Sequence, residues 1–242
     1  MPTCPSLPLT GERTVPGVAA ENYWFRRHEA AYRWLAGELP VPGATVVEAG
    51  CGEGYGGQVL ADAGAALVAG LDLDLATLRH AAGTYPGVPV AAANLVALPI
   101  ADGAVDLVVS SQVVEHLWDQ DQFVAGCARV LRPGGRLVVT TPNRLTFPPG
   151  NVFHSRELDA TELTALVGRH LEVRSVLGLR PGPRFAADQA ENGDLVAAQV
   201  AAAGVPDDAL RARVAAVAAA DFVVDDHDLP GCLDLVLTAV HR

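Results

Sequence analysis

The 242-residue chain is predicted to be a doubly wound α/β protein, with a Rossmann-like, mostly parallel seven-stranded sheet and an antiparallel last strand. Three observations predict it. Short β-branched apolar runs alternate with helical patterns along the chain. One of these runs, Thr45 to Ala49, passes directly into the glycine-rich Gly50-Cys51-Gly52-Glu53-Gly54. An acid, Asp72, closes the next run roughly 20 residues beyond the glycines, the usual place for a ribose-binding carboxylate.

Composition narrows the class. Half the residues are hydrophobic and 19% are charged, which fits a globular chain with a full core. A net charge of -11 argues against nucleic acid or an anionic membrane as the main partner. All 17 basic residues are arginine, so no lysine is present to act as base or Schiff-base former. Cys4, Cys51, Cys127 and Cys232 are far apart and show no metal spacing, as reduced thiols would. With no basic-then-apolar leader and no apolar run of membrane length, a cytoplasmic location without membrane insertion is expected.

One domain is expected: an N-terminal arm and helix over 1–42, a core over 45–143, and a second half over 144–242. Residues 1–20, rich in Pro, Gly and Thr, read as an extended arm. Tyr23, Trp24, Ala30, Ala31, Trp34 and Leu35 fall at helical spacing and predict a helix over 21–39. Arg26, Arg27, His28 and Arg33 make it basic. It is either a cap on the sheet with a solvated basic face or a lid whose Arg27 or His28 touches a ligand.

Pro40, Pro42 and Gly43 stop that helix before the strand at 45–49. Glu48 is the odd residue in this strand, and burying it unpaired is costly, so a cationic or donor-rich partner is expected. A helix over 55–63 and a strand over 66–71 follow. Asp74 is the expected cap of the helix that starts near Leu75. Further strands are expected at 88–92, 105–110, 136–140 and 171–177, with helices at 119–131 and 160–169. The alanine-rich stretch 186–220 reads as one or two helices broken at Gly204-Val205-Pro206, serving as a lid or as the surface of a homodimer. Phe222-Val223-Val224, an acidic turn and the apolar strand 233–240 close the chain.

Gly52, Gly54 and Gly57 satisfy GxGxxG, which on its own points equally to a nicotinamide dehydrogenase. The downstream blocks separate the two. Val47-Glu48-Ala49-Gly50-Cys51-Gly52-Glu53-Gly54, Asp72, Asn94-Leu95 before Leu98-Pro99, Val105-Asp106-Leu107-Val108-Val109, Val114-Glu115-His116-Leu117 and Leu131-Arg132-Pro133-Gly134-Gly135 occur in one order and spacing. In these blocks the chain resembles the class I S-adenosylmethionine-dependent methyltransferases of the small-molecule type.

The resemblance implies S-adenosyl-L-methionine as cofactor and S-adenosyl-L-homocysteine as product. It implies that Gly50, Cys51, Gly52 and Gly54 line the methionyl part and that Glu48 faces its ammonium, directly or through water. Asp72, with Leu73 beside it, would hold the ribose hydroxyls. Asn94 would take the adenine amino group, with the Leu95 amide on a ring nitrogen. Many relatives carry Asp at position 94; Asn keeps the acceptor oxygen and drops the charge. Ser111 and Gln112 would border the methionyl chain and the methyl group.

A hydroxyl acceptor must lose a proton, and histidine is the natural base near neutral pH. His116, just past the fourth strand, is the first candidate, with a structural role at the mouth of the next helix as the alternative. His154 is the second candidate, or a packed histidine steadying a connection; Glu115 is placed to orient either one. Asp225-Asp226-His227-Asp228 has ligand residue types but reads as a solvated acidic turn, so no metal is predicted.

Thr10 to Gly17 and Glu21 to His28 further resemble bacterial glycan O-methyltransferases, including the methylglucose polysaccharide type. That likeness implies a sugar or oligosaccharide hydroxyl as acceptor, with Tyr23, Trp24, Arg27 and His28 on the substrate. Rival readings are methylation of a lipid or quinone-like hydroxyl and a non-catalytic cofactor-binding regulator.

Overall fold

The computed structural model describes residues 13–242 apart from 149 and 203. Residues 1–12 of the expected arm, with Cys4 and the Thr10-Gly11-Glu12 part of its motif, lie outside the described residues.

Helix α1 (Asn22–Glu38) leads into β1 (Thr45–Ala49), then α2 (Tyr55–Asp62), β2 (Leu67–Asp72), α3 (Leu75–Thr84), β3 (Val90–Ala92) and β4 (Val105–Ser111). After these come α4 (Gln120–Val130), β5 (Leu131–Pro142), α5 (Ala160–Val167) and β6 (Glu172–Pro181). Helices α6 (Pro183–Asn192), α7 (Leu195–Ala201) and α8 (Asp208–Ala216) precede β7 (Phe222–Asp225) and β8 (Asp234–Val240). The sheet order is β3-β2-β1-β4-β5-β8-β6-β7. β1 pairs in parallel with both β2 and β4, so the strand order reverses beside β1 and its carboxyl end opens a crevice. β8 runs antiparallel between β5 and β6, as the sequence predicts of the last strand.

The sheet has eight strands among the described residues, not seven. The extra one is β7, four residues added antiparallel to β6; its apolar run was visible but too short to read as a strand. The stretch 186–220 also differs, with three helices where one or two were expected. Gly193, at φ +79°, ends α6 in a positive-φ conformation that favours glycine, a break that the alanine-rich composition hides. Asn22 Nδ2 then donates to the carbonyls of Val214 and Val217, tying the end of α8 to α1.

Both faces of the sheet are covered. Val46 and Val47, adjacent in β1, belong to separate buried clusters, as alternation along a strand requires. α1 buries Tyr23, Ala30, Ala31, Tyr32 and Leu35 in one of them, and α4 buries Phe123, Val124 and Cys127 in the other. Each fully buried side chain of the size of Leu35 or Phe123 stabilises by about 1.5–3 kcal/mol relative to exposure. Among the described residues, no helix is long and apolar enough to cross a membrane.

Candidate active site

The β1–α2 turn is shaped for a close ligand. Gly50 has φ +88°, and a Cβ there would lie 2.2 Å from Val113 Cγ2, so only glycine fits. Gly52 and Gly54 also have positive φ, at +52° and +96°. Asp72, at the end of β2, stiffens the turn: its Oδ2 accepts from the Gly52 amide at 2.9 Å and its Oδ1 from the Asp74 amide at 3.0 Å. Each oxygen keeps a second lone pair for a ligand hydroxyl. Asp74 itself caps α3 through the Ala76 and Thr77 amides, as predicted.

A cavity of about 310 Å³ opens over this turn. It is lined by Gly50, Cys51, Gly52, Asp72, Leu73, Asn94, Leu95, Ser111 and Gln112, nine of the eleven predicted cofactor residues. Gly54 lies one step behind, as the residue before α2. The side-chain oxygen of Asn94 caps the turn Leu95–Ala97 by accepting from the Val96 amide at 3.2 Å. Ser111 Oγ is 2.8 Å from Thr140 Oγ1. Burial pushes the Cys51 thiol up, so it is a neutral wall and no nucleophile.

Glu48 departs from expectation. It is fully buried and does not line the cavity; Tyr32 Oη stands in front of it, donating at 2.6 Å to Oε1. The partner is a single hydroxyl supplied by α1, a contact between distant segments that spacing does not reveal. Burial pushes the Glu48 carboxyl up to about 8, so it is neutral at pH 7. Glu53, by contrast, does reach the cavity. It is 2% exposed, its Oε1 lacks a hydrogen-bond partner, and burial raises its carboxyl to about 7. An orphaned carboxylate oxygen, the Asp72 carboxylate and a glycine cradle suit a cationic, ribose-bearing molecule. They fit S-adenosylmethionine.

A second cavity of about 250 Å³ adjoins the first, sharing Arg13, Thr14, His28, Gln112 and His116 with it. Trp24, Glu115, Phe147, Asn151 and His154 also line it. The wall begins where β4 ends. Gln112 has φ +56°, an uncommon left-handed conformation for a non-glycine residue, and its amide donates to Thr140 O at 2.8 Å. That bend starts the turn Val114–His116, in which Glu115 is buried and His116 reaches both cavities. The Ser155 and Arg156 amides both donate to Glu115 O, holding the segment around His154 against this turn.

His116 Nδ1 lies 3.0 Å from the Phe153 carbonyl, which can only accept, so a neutral ring carries its lone pair on Nε2. His154 Nδ1 is 2.7 Å from Glu157 Oε1, and its Nε2 is 3.1 Å from Asn151 Nδ2. The two imidazoles meet edge to face with centroids 4.9 Å apart. Glu115 orients neither ring directly; its Oε2 accepts from Thr141 Oγ1 at 2.9 Å. Glu157 is the carboxylate that holds His154, and the i,i+3 spacing of the pair was its only trace in the sequence.

The predicted substrate residues divide. Trp24 and His28 line the second cavity, and burial pushes His28 down to about 4, so its imidazole is neutral at pH 7. Arg27 reaches the same cavity, but its guanidinium is committed to Asp234 through two short hydrogen bonds and to Leu233 O at 2.9 Å. Tyr23 lines neither cavity. It packs in the core against Trp24, Phe185 and Phe222, because its place on α1 points it toward the sheet. Arg13 and Thr14, singled out only as part of the Thr10 to Gly17 motif and not as site residues, lie on the wall, and Arg13 pairs with Asp74 at 2.8 Å. Of the acidic turn 225–228, Asp225 is paired with Arg180.

Two chambers share one wall, and the first, with its glycine cradle and the Asp72 carboxylate, has the lining that suits an adenosine-bearing donor. A family profile described as a methyltransferase domain matches residues 47–139. A protein of Mycolicibacterium smegmatis named as a probable S-adenosylmethionine-dependent methyltransferase is 51% identical over 97% of this chain and 95% of its own. One of Mycobacterium tuberculosis with the same description is 47% identical over 97% and 89%. A ubiquinone biosynthesis O-methyltransferase of Cupriavidus pinatubonensis is 36% identical over 46% of each chain.

Among solved structures, an S-adenosylmethionine-dependent methyltransferase from Mesorhizobium loti superposes with a TM-score of 0.59 at 19% identity, covering 87% of this chain and 97% of that one. Geranyl diphosphate C-methyltransferase from Streptomyces coelicolor, crystallised with S-adenosyl-L-homocysteine, does so with a TM-score of 0.60 at 16% identity, covering 88% and 77%. These two share the fold. The chain belongs to the class I S-adenosylmethionine-dependent methyltransferases. Its cofactor is S-adenosylmethionine, and it is a transferase.

Proposed function

We propose that the protein methylates a hydroxyl of a sugar or oligosaccharide bound in the second cavity. The observation that carries this reading is the shared wall: His116 borders both the donor chamber and the chamber where an acceptor would sit. Transfer needs the acceptor oxygen in line behind the methyl carbon, so positioning by the wall supplies much of the acceleration. Bound there, the cofactor supplies an electrophilic methyl on a sulfonium. Gly50 and Gly52 admit its methionyl part, Asp72 holds the ribose, and Asn94 and Leu95 border the adenine. His116 handles the hydroxyl proton, with Nε2 as the receiving atom of a neutral ring. Support for a sugar comes from the lining: the Trp24 and Phe147 rings offer apolar surface to a pyranose, while Asn151 and Glu21 offer hydrogen bonds to its hydroxyls.

A second reading, a lipid or quinone-like hydroxyl, is favoured by one observation. Trp118, Val152 and Phe153, next to the wall in sequence, are 93%, 88% and 39% exposed. An apolar rim of this kind suits an acceptor with a hydrocarbon tail. Labelled-methyl transfer from S-adenosylmethionine into short oligosaccharides, and in parallel into long-chain phenols with detergent, tests both. Label fixed on a sugar oxygen supports the first reading. Label found only in the phenols replaces it with the second, and label in neither overturns both.

A further inference from the structure

We propose that Glu115, His116 and His154 form a divalent-cation site at the junction of the two cavities. One ligand atom from each of the three residues falls within 4.8 Å of the others. Binding at about 2.0–2.2 Å from each atom then asks for modest side-chain rotation rather than refolding. His154 gives up a hydrogen bond from Asn151 Nδ2 in exchange.

What surrounds the three residues favours a metal over chance proximity. Each imidazole has its Nδ1 engaged by an acceptor: the Phe153 carbonyl at 3.0 Å for His116 and the Glu157 carboxylate at 2.7 Å for His154. In neutral rings both Nε2 atoms therefore carry lone pairs, the arrangement in which metal-bound histidines are held by carboxylates and carbonyls. Glu115 is 1% exposed, and Thr141 Oγ1 is the side-chain donor to it. A buried carboxylate is costly, and a cation would offset that cost. The two halves of the set come from segments almost 40 residues apart, held together by the Ser155 and Arg156 amides on Glu115 O.

Two imidazoles and one carboxylate favour a borderline cation such as zinc, manganese or ferrous iron over magnesium, which prefers oxygen ligands. Three protein ligands leave a position open toward the cavity. Resting on the methyl-transfer reading above, the site keeps the transfer and replaces its base: the acceptor hydroxyl takes the open position and loses its proton to solvent at lower pH. Its lone pair then forms the C–O bond as the C–S pair returns to sulfur, and His116 acts as a ligand instead of as the base itself.

The test uses full-length protein stripped with EDTA and titrated with cobalt(II), read by visible absorption and bound-metal content, with zinc as competitor. Expected are one ion per chain with ligand-field bands displaced by zinc, loss of those bands in H154Q and H116Q, and 10–100-fold weaker binding in E157Q. Featureless titrations, or bands indifferent to H154Q and E157Q, overturn the site. Calorimetry with S-adenosylhomocysteine on the stripped protein and each variant checks folding separately. Intact cofactor binding without metal binding removes only this inference, whereas absent cofactor binding removes the methyltransferase reading.

Discussion

Tyr32 Oη donates a 2.6 Å hydrogen bond to Glu48 Oε1, while Oε2 of the same buried carboxyl has no partner of normal geometry. Helix α1 thereby shields β1 from the cofactor chamber. Tyr32→Phe removes the donor and leaves Glu48 buried without it, so a loss of about 1–3 kcal/mol is expected in urea unfolding.

The same carboxyl gives a pH dependence of definite sign. Its folded value of about 8 lies above the ordinary 4.5, so the native state binds the extra proton between those values. Stability therefore falls as pH rises from about 5 to 8, with native protein favoured below that window. Glu48→Gln, which mimics the neutral acid, reduces that slope, and Glu53 and Glu115, also raised by burial, keep their share of it. A slope unchanged in the Gln variant, measured by chemical denaturation across pH, contradicts a neutral Glu48.

Asp72 reaches the cavity while bracing Gly52, so its removal acts twice. Asp72→Ala is expected to weaken S-adenosylhomocysteine binding about 10–100-fold in calorimetry, the range for losing hydrogen bonds to a charged group. An affinity within threefold of wild type contradicts its place on the ribose.

Gly50→Ala puts a methyl 2.2 Å from Val113 Cγ2 and asks alanine to adopt φ +88°. Cofactor binding should be abolished and the melting temperature lowered. Adding Val113→Ala relieves the clash but not the backbone strain, so only partial recovery is expected.

Arg27 and Asp234 are 4% and 2% exposed, and each is the other's main charge partner. Asp234→Ala should cost about 3–5 kcal/mol in denaturant melts because it strands a buried guanidinium. A large rise in acceptor KM without loss of stability would restore Arg27 to the substrate.

The cofactor half was legible because its signals are local. The β-branched run into Gly50, the acid after β2 and the Asp74 cap each depend on residues a few positions apart, and each lies where the pattern puts it. Glu48 and Tyr23 show where that ends. A carboxyl at a strand end signals that it needs a partner, but only α1 folding back on β1 makes Tyr32 that partner. Helical spacing marks Tyr23 and Trp24 alike, and packing against Phe185 and Phe222 sends one to the core and the other to the cavity. The acceptor side was harder still. Its wall joins the Val114–His116 turn to the segment around His154 through backbone hydrogen bonds, which leave no residue-type signature.

His28, Gln112 and His116 face both chambers, so neither ligand meets this partition independently of the other. A donor that immobilises the three side chains has already met the entropic cost of ordering them, and the second molecule arrives to a finished surface. Turnover should thus follow a compulsory sequence, donor before acceptor. The spent donor, by keeping the partition set, should trap an acceptor in a dead-end ternary complex.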